Sequence, residues 1–181
     1  EALPSIGAVS VLSLKSKQSN DDNGWSIEVK NGQKSKTQPT SHPQGTTVEI
    51  RDLFHTTPAR LKFLKSDRSE LNAIKDTLLR LAMAYPKTAI TLTHEDKKIL
   101  YLEQEQGNLI DQRHHRLNEI IGKNFGRNAI AINAKRDDVT LTGYAGLPTL
   151  SRANSQYQFL FVNGRPVKDK LLIGCVRAAY R

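Results

Sequence analysis

Five cations crowd the last nineteen residues of the chain, Arg165, Lys168, Lys170, Arg177 and Arg181, with Asp169 as the only acid among them. Such a cluster suits phosphate neutralisation, which is independent of base sequence and falls steeply with salt. The competing reading is a solvated helix face whose lysines lay their stems along apolar surface. Other reactive side chains do not assemble by spacing into a catalytic or metal centre. His114 and His115 are adjacent rather than four apart, so their rings cannot share one helical face. Asp21-Asp22 and Asp137-Asp138 fall in turn-like settings, where Asp is favoured for backbone reasons. There is no Gly-rich phosphate loop of the Walker type, and the single Cys175 cannot supply a zinc set. No catalytic residue and no metal ligand are therefore assigned.

The charge excess extends to the whole chain: 27 Lys+Arg against 18 Asp+Glu in 181 residues give a formal net charge of +9. That balance favours a polyanionic partner, nucleic acid ahead of an acidic membrane surface. Apolar runs such as Phe159-Leu160-Phe161-Val162 are a strand's worth, far below the roughly 18 residues that span a bilayer, so no membrane association is expected. One cysteine allows no internal disulfide and no signal peptide is visible, which makes a cytoplasmic location the expectation. The chain starts at Glu1 rather than Met and stops at Tyr180-Arg181 without a turn signal, so a piece of a longer protein is expected.

The elements that must position these residues follow from periodicity. Val9 to Lys17 and Trp25 to Lys30 alternate as strands around the turn cluster Asn20-Asp21-Asp22-Asn23-Gly24, and Asn31-Gly32 is a hairpin signal. Lys34 to Gln44 reads as an edge strand or loop. Gly45 opens a strand through Val48, Ile50 and Leu53, and Pro58 suits the first turn of a basic amphipathic helix capped by Thr57 or Thr56. Asp67 and Glu70 have the form of a capping pair before a helical face of Leu71, Ile74, Leu78, Leu81, Ala82 and Tyr85, which Pro86 ends. Thr88–His94 and Lys98–Leu102 make a hairpin around Glu95-Asp96-Lys97. The polar segment Gln104–Asn108 separates two domains, 1–103 and 104–181. Beyond it come a short helix with Leu117, Ile120 and Ile121 closed by Gly122, and a hairpin around Asp137-Asp138. Then follow a strand from Tyr157 to Val162, the most buried-looking of all, and a helix from about Asp169 with Leu171, Leu172, Cys175, Val176 and Ala179 on its apolar side. The class is α+β, mainly antiparallel, with helices on one face of each sheet.

Three ordered segments carry a resemblance. Glu1-Ala2-Leu3 is similar to the tail of the signature Gly-Phe-Arg-Gly-Glu-Ala-Leu. Gly45-Thr46-Thr47 and Thr57-Pro58-Ala59-Arg60 are similar to a Gly-Thr-Thr strand and an Asn-Thr-Pro-Ala-Arg run, although His55-Thr56 stands where Tyr-Asn is usual. Phe161-Val162-Asn163-Gly164-Arg165 resembles a Val-Asn-Gly-Arg segment before a basic helix. All three belong to the MutL family of DNA mismatch repair proteins.

The resemblance implies the C-terminal part of a GHKL-type ATPase α/β sandwich over 1–103 and, over 104–181, the start of a ribosomal-protein-like transducer domain. It implies that Thr46 lies near the adenine of ATP, sharing a water, and that Glu1, Ala2 and Leu3 lie where the ATP lid joins its helix. It places Arg165, Lys168 and Lys170 with DNA-contacting basic residues, and Arg177 extends that set along the same helix. The family's general-base Glu, Mg-binding Asn and adenine-loop Asp precede its signature, so the resemblance implies ATP and Mg in the intact protein without tight binding by this stretch. Implied partners are DNA, a MutS-type mismatch-recognition protein and a second copy in a homodimer. The alternative is a non-catalytic DNA-binding and docking module. A topoisomerase or chaperone relative is disfavoured by Asn163-Gly164-Arg165 after a Phe-rich strand.

Overall fold

Alternation in the first third of the chain resolves into one antiparallel sheet. The computed structural model describes residues 1–150 and 157–180. After helix α1 (Ala2–Gly7) come strands β1 (Val11–Lys17), β2 (Gly24–Lys30), β3 (Gln33–Lys34), β4 (Gln38–Thr40) and β5 (Gly45–Arg51), in the order β3-β2-β1-β5 with β4 also on β2. Leu12 pairs with Val29 and Ile50, and Leu14 with Ile27 and Val48, so one face is apolar. Ser13, Glu28 and Glu49 alternate onto the other. A Cβ on Gly7 would stand 2.9 Å from Val29 Cγ1, so the glycine lets α1 come this near the sheet. Leu12 is buried, whereas Val48 and Ile50 on β5 remain 44% and 38% exposed.

Helix α2 (Pro58–Leu61) is a single turn rather than the amphipathic helix expected. Thr57 is its N-cap residue, yet its hydroxyl donates back to the Phe54 carbonyl at 3.4 Å instead of accepting from a helix amide. Helix α3 (Asp67–Ala84) follows. Glu70 does reach back, but to the amide of Lys65 at 2.9 Å, so the reciprocal Asp67–Glu70 box does not form. Helix propensity and the position of Pro86 were legible; the cap chemistry was not.

Packing divides the chain into Glu1–Glu70 and Leu71–Arg181. In the second unit, β6 (Ile90–His94) and β7 (Lys97–Leu102) pair around Glu95 and Asp96, both at positive φ. Helix α4 (Leu109–Ile121) is followed by α5 (Lys123–Arg127), a turn the sequence reading missed. Gly122 separates the two with φ +108, where an L side chain is strained. Strands β8 (Ala129–Arg136) and β9 (Val139–Gly146) form the next hairpin. Of the strand expected from Tyr157, only β10 (Leu160–Val162) forms, and its residues are half-buried or exposed. It turns through Asn163-Gly164 into β11 (Arg165–Val167), which the sequence reading did not anticipate. The ladder is short because the chain leaves at Lys168 and Asp169 to start α6 (Lys170–Ala179).

Ala82, Met83 and Leu102 are buried in this unit beside three polar side chains, Arg80, Gln112 and Arg116. Arg116 is 0% exposed. Its Nη2 points at the carbonyls of Pro86, Thr88 and Glu103 at 2.9, 3.3 and 2.5 Å, and Nη1 donates to Glu119 at 3.0 Å. One guanidinium thereby ties α4 to both ends of the β6–β7 hairpin. Gln112 adds a bond from Nε2 to the Gly107 carbonyl at 2.6 Å. Pairing covers most of this burial but not all of it: among the described residues Arg116 Nε, Gln112 Oε1 and Arg80 Nη1 are buried without a partner.

Candidate nucleotide wall and nucleic-acid interface

Thr46 is the second residue of β5, directly opposite Ser16 on β1. The two hydroxyls lie 2.8 Å apart, and Ser16 Oγ also reaches the Gly45 carbonyl at 3.3 Å. Gly45 holds φ +127, a backbone that favours glycine and that starts the strand at a sharp angle. The Thr46 hydroxyl is thus exposed but oriented, with lone-pair capacity left for an incoming polar group. Glu1 is the N-cap residue of α1 without a side-chain cap bond; its carbonyl accepts from the Ser5 hydroxyl at 3.0 Å. Ala2 and Leu3 open the helix, exposed. Among the described residues, no hydrogen bond joins Glu1, Ala2 or Leu3 to Thr46.

The basic segment is built differently. The Asn163-Gly164 turn, at φ +48 and +77, lifts Arg165 onto β11 opposite Val162. Asp169 Oδ1 accepts from the Leu172 amide at 2.9 Å and so caps α6. That carboxylate is therefore committed to the helix. Lys170 and Arg177 lie seven residues apart on α6 and share one stripe of its surface. Arg165, Lys170 and Arg177 are exposed and have no acidic partner among the described residues. Lys168 has one: its Nζ donates to Asp76 Oδ2 at 2.7 Å. Arg181 lies outside the described residues.

Asp76 and Arg80 escaped the sequence reading, though their four-residue spacing on a helix is the signal of an ion pair. Arg80 Nε donates to the same Asp76 oxygen at 3.1 Å, and its guanidinium stands 4.9 Å from the Phe159 ring centroid. Burial pushes the Asp76 carboxyl up, but the hydrogen bonds from Lys168 and Arg80 outweigh it and hold the group below its ordinary value. Arg116 and Gln112 were also missed; their signal is polar residues at helical spacing on the stripe that should be apolar. His114 and His115 diverge: Nε2 of His114 lies 3.2 Å from the Gly126 carbonyl, while His115 faces Glu105 at 3.6 Å. Among the described residues no three His, Cys, Asp or Glu side chains gather as metal ligands, and no helix is long and apolar enough to cross a membrane.

The mixed fold is that of a GHKL-type ATPase domain. It superposes on the Aquifex aeolicus MutL ATPase domain complexed with ADP at a TM-score of 0.78 and 30% identity, covering 98% of this chain and 66% of that one. Over its whole length the chain is 50% identical to the DNA mismatch repair protein MutL of Paramagnetospirillum magneticum and 51% identical to that of Rhodospirillum rubrum. It spans 30% and 29% of the lengths of these two relatives. Residues 117–181 match the family model described as DNA mismatch repair protein, C-terminal domain. The chain belongs to the MutL family of DNA mismatch repair proteins.

Proposed function

We propose that this chain is the DNA-contacting part of the ATP-responsive region of a mismatch repair ATPase. The observation that carries the reading is a set of exposed cations without acidic partners among the described residues, Arg165 and Lys170 on either side of the capped start of α6 and Arg177 in its last turn. Cations so placed neutralise backbone phosphates of single- or double-stranded DNA without reading bases. Functionally the chain divides at 103/104, an ATPase portion before and a transducer portion after. The packing boundary at Glu70 and Leu71 is a separate matter, because α3 packs with the second unit.

Thr46 serves as the adenine-side wall, its hydroxyl held by Ser16 for a water-mediated contact, with Glu1, Ala2 and Leu3 belonging to the lid end of the same nucleotide site. Bound ATP would supply the phosphoanhydride whose cleavage drives the cycle. What this chain offers toward it is neutral hydroxyl and backbone, and no residue of it is assigned as general base or Mg ligand. The chain by itself is therefore expected neither to turn over ATP nor to hold it tightly, and measurable single-site turnover would refute this. In the whole protein, ATP binding closes two copies into a dimer, hydrolysis reopens it, and a MutS-type protein delivers the mismatch signal, in the cytoplasm. The basic segment equally supports the second reading of a non-catalytic DNA-binding and docking module. ATP-dependent dimerisation of the intact protein separates the two.

The DNA reading is tested with Arg165→Glu combined with Lys170→Glu, titrating the chain against a labelled duplex at several salt concentrations. Two lost phosphate contacts are expected to weaken binding about tenfold or more at low salt and to flatten the slope of log K against log salt by about 2. Unchanged affinity would remove both residues from the interface.

A further inference from the structure

Lys168 sits inside the basic segment, yet it alone of that segment's described cations is already occupied by a carboxylate. Asp76 Oδ2 receives Lys168 Nζ at 2.7 Å and Arg80 Nε at 3.1 Å, two donors on one oxygen. We propose that Asp76 is a built-in competitor for DNA phosphate: it holds Lys168 back while the basic segment is empty and yields it when a polyanion binds. The inference rests on the DNA reading above.

Three features make the exchange feasible. First, the pair is accessible. The Lys168 side chain is 67% exposed, and a cavity of about 310 Å³ lined by Asp76, Arg80, Gln158, Val167, Lys168 and Ile173 opens beside it. An ion pair this wet is weak and is screened by salt, so a phosphate held by neighbouring cations can displace it. Second, releasing Lys168 does not strand the carboxylate. Arg80 stays on Asp76, is only 8% exposed, and its Nη1 has no partner among the described residues, so spare donor capacity stands ready. Third, the replaced interaction is of the same kind. A carboxylate oxygen and a phosphate oxygen both accept from an ammonium at this distance, so the lysine exchanges one anion for another without losing its hydrogen bond. Arg80 over Phe159 keeps α3 attached just before β10 during the exchange.

The consequence is an ordered response of cations that composition treats as equal. Arg165, Lys170 and Arg177 make first contact, and Lys168 joins only when enough phosphate is present to replace Asp76. DNA occupancy then loosens one tie between the basic segment and α3.

The test measures the affinity of the full chain for a fluorescein-labelled 30-base-pair duplex by anisotropy across a salt series. It uses Asp76→Asn, Lys168→Gln, the double variant, and Asp137→Asn as a control for removing an exposed acid (91% exposed side chain) elsewhere. Asp76→Asn is expected to bind about fivefold tighter at low salt, because Lys168 no longer has to leave a carboxylate to reach phosphate, with a gain that shrinks as salt rises and screens that competing pair. The gain should vanish in the Lys168→Gln background and be absent in Asp137→Asn. Lys168→Gln alone should cost less than the same change made beside Asp76→Asn. If Asp76→Asn matches the unsubstituted chain or binds more weakly while Arg165→Glu with Lys170→Glu still abolishes affinity, the competitor is refuted and the DNA reading stands. If that charge reversal has no effect, the DNA reading fails and the competitor with it. Should Asp76→Asn fold poorly, the Lys168→Gln and Arg165→Gln pair decides: equal losses of affinity overturn the proposal.

Discussion

The second unit carries two populations of cations that composition counts alike. Arg116 is wholly buried, its guanidinium spread over three backbone carbonyls and Glu119. Arg165, Lys170 and Arg177 are exposed and unpaired among the described residues, and Lys168 stands between the two, tied to one half-exposed carboxylate. The contrast teaches that a formal charge of +9 overstates what a polyanion would meet. A buried arginine is a structural strut whose charge is already spent, and an exposed one is available. Loss of the first kind should reduce stability and leave binding; loss of the second should do the reverse.

The most damaging way to test this is Arg116→Met, which keeps an unbranched stem and removes every donor. Three carbonyls and Glu119 lose their partner at once, and the buried acceptors cannot recover it from solvent. The expected cost is about 3 kcal/mol, read as a fall in the urea midpoint. DNA affinity of the fraction still folded should match the unsubstituted chain. A loss of affinity without a loss of stability would place Arg116 with the binding cations and break the comparison.

The sequence made most of the exposed set legible and little of the buried set, for a physical reason. Arg165 to Lys170 are local in the chain, after an Asn-Gly turn and before an apolar helix face, so their neighbourhood can be read from adjacent letters. Arg116 matters because of Pro86, Thr88 and Glu103, and Lys168 because of Asp76, contacts across 13 to 92 positions that no local pattern encodes. The same divide runs through the fold. Asn31-Gly32 and Asn163-Gly164 are turns written in residues that tolerate positive φ, and both form, although the strand after the second was not anticipated; the turn at Glu95-Asp96 also forms, but with Glu95 at φ +48, which its residue type does not favour. The shortness of β10 and the exposure of β5 depend on which surfaces meet, and were misread or unread. Thr46 is singled out by the family motif alone, whereas its hydroxyl partner Ser16, thirty residues away, is in no motif.

A smaller effect sharpens the boundary at Arg80. Phe159→Leu removes the ring beneath its guanidinium while keeping apolar volume, and is expected to cost about 1 kcal/mol in a thermal melt. No change at all would mean that Arg80 is held by Asp76 alone.

Acid titration separates the populations further. Asp76 has its carboxyl held below the ordinary value in the folded chain, so its ionised form contributes stability above the ordinary carboxylate range, and that contribution is lost as pH falls through the depressed value. Asp76→Asn should remove this part of the acid sensitivity, and high salt should shrink it because the pair is wet. An unaltered acid limb in the variant would show that the contact with Lys168 carries no stability.

The finest distinction falls on Glu119, which pairs with buried Arg116 at 3.0 Å and would be expected to have a lowered pKa. Its carboxyl is instead pushed up: burial disfavours the charge, and nearby Glu105 adds to this, together outweighing Arg116. The sign is then opposite to that at Asp76. A carboxyl raised in the folded state is most favourable below the ordinary carboxylate range, and stability is lost as pH rises through the raised value. Glu119→Gln keeps an acceptor for Arg116 and removes the ionisation. It should be as stable as the unsubstituted chain near pH 4 and more stable at neutral pH, by no more than about 0.5 kcal/mol once solvent screening of this half-exposed group is allowed for. A destabilisation above about 1 kcal/mol at neutral pH, read from paired urea melts, would mean that the ion pair outweighs burial. Arg116 would then need a charge opposite it as well as carbonyls, and the strut would be electrostatic rather than a hydrogen-bonded tie.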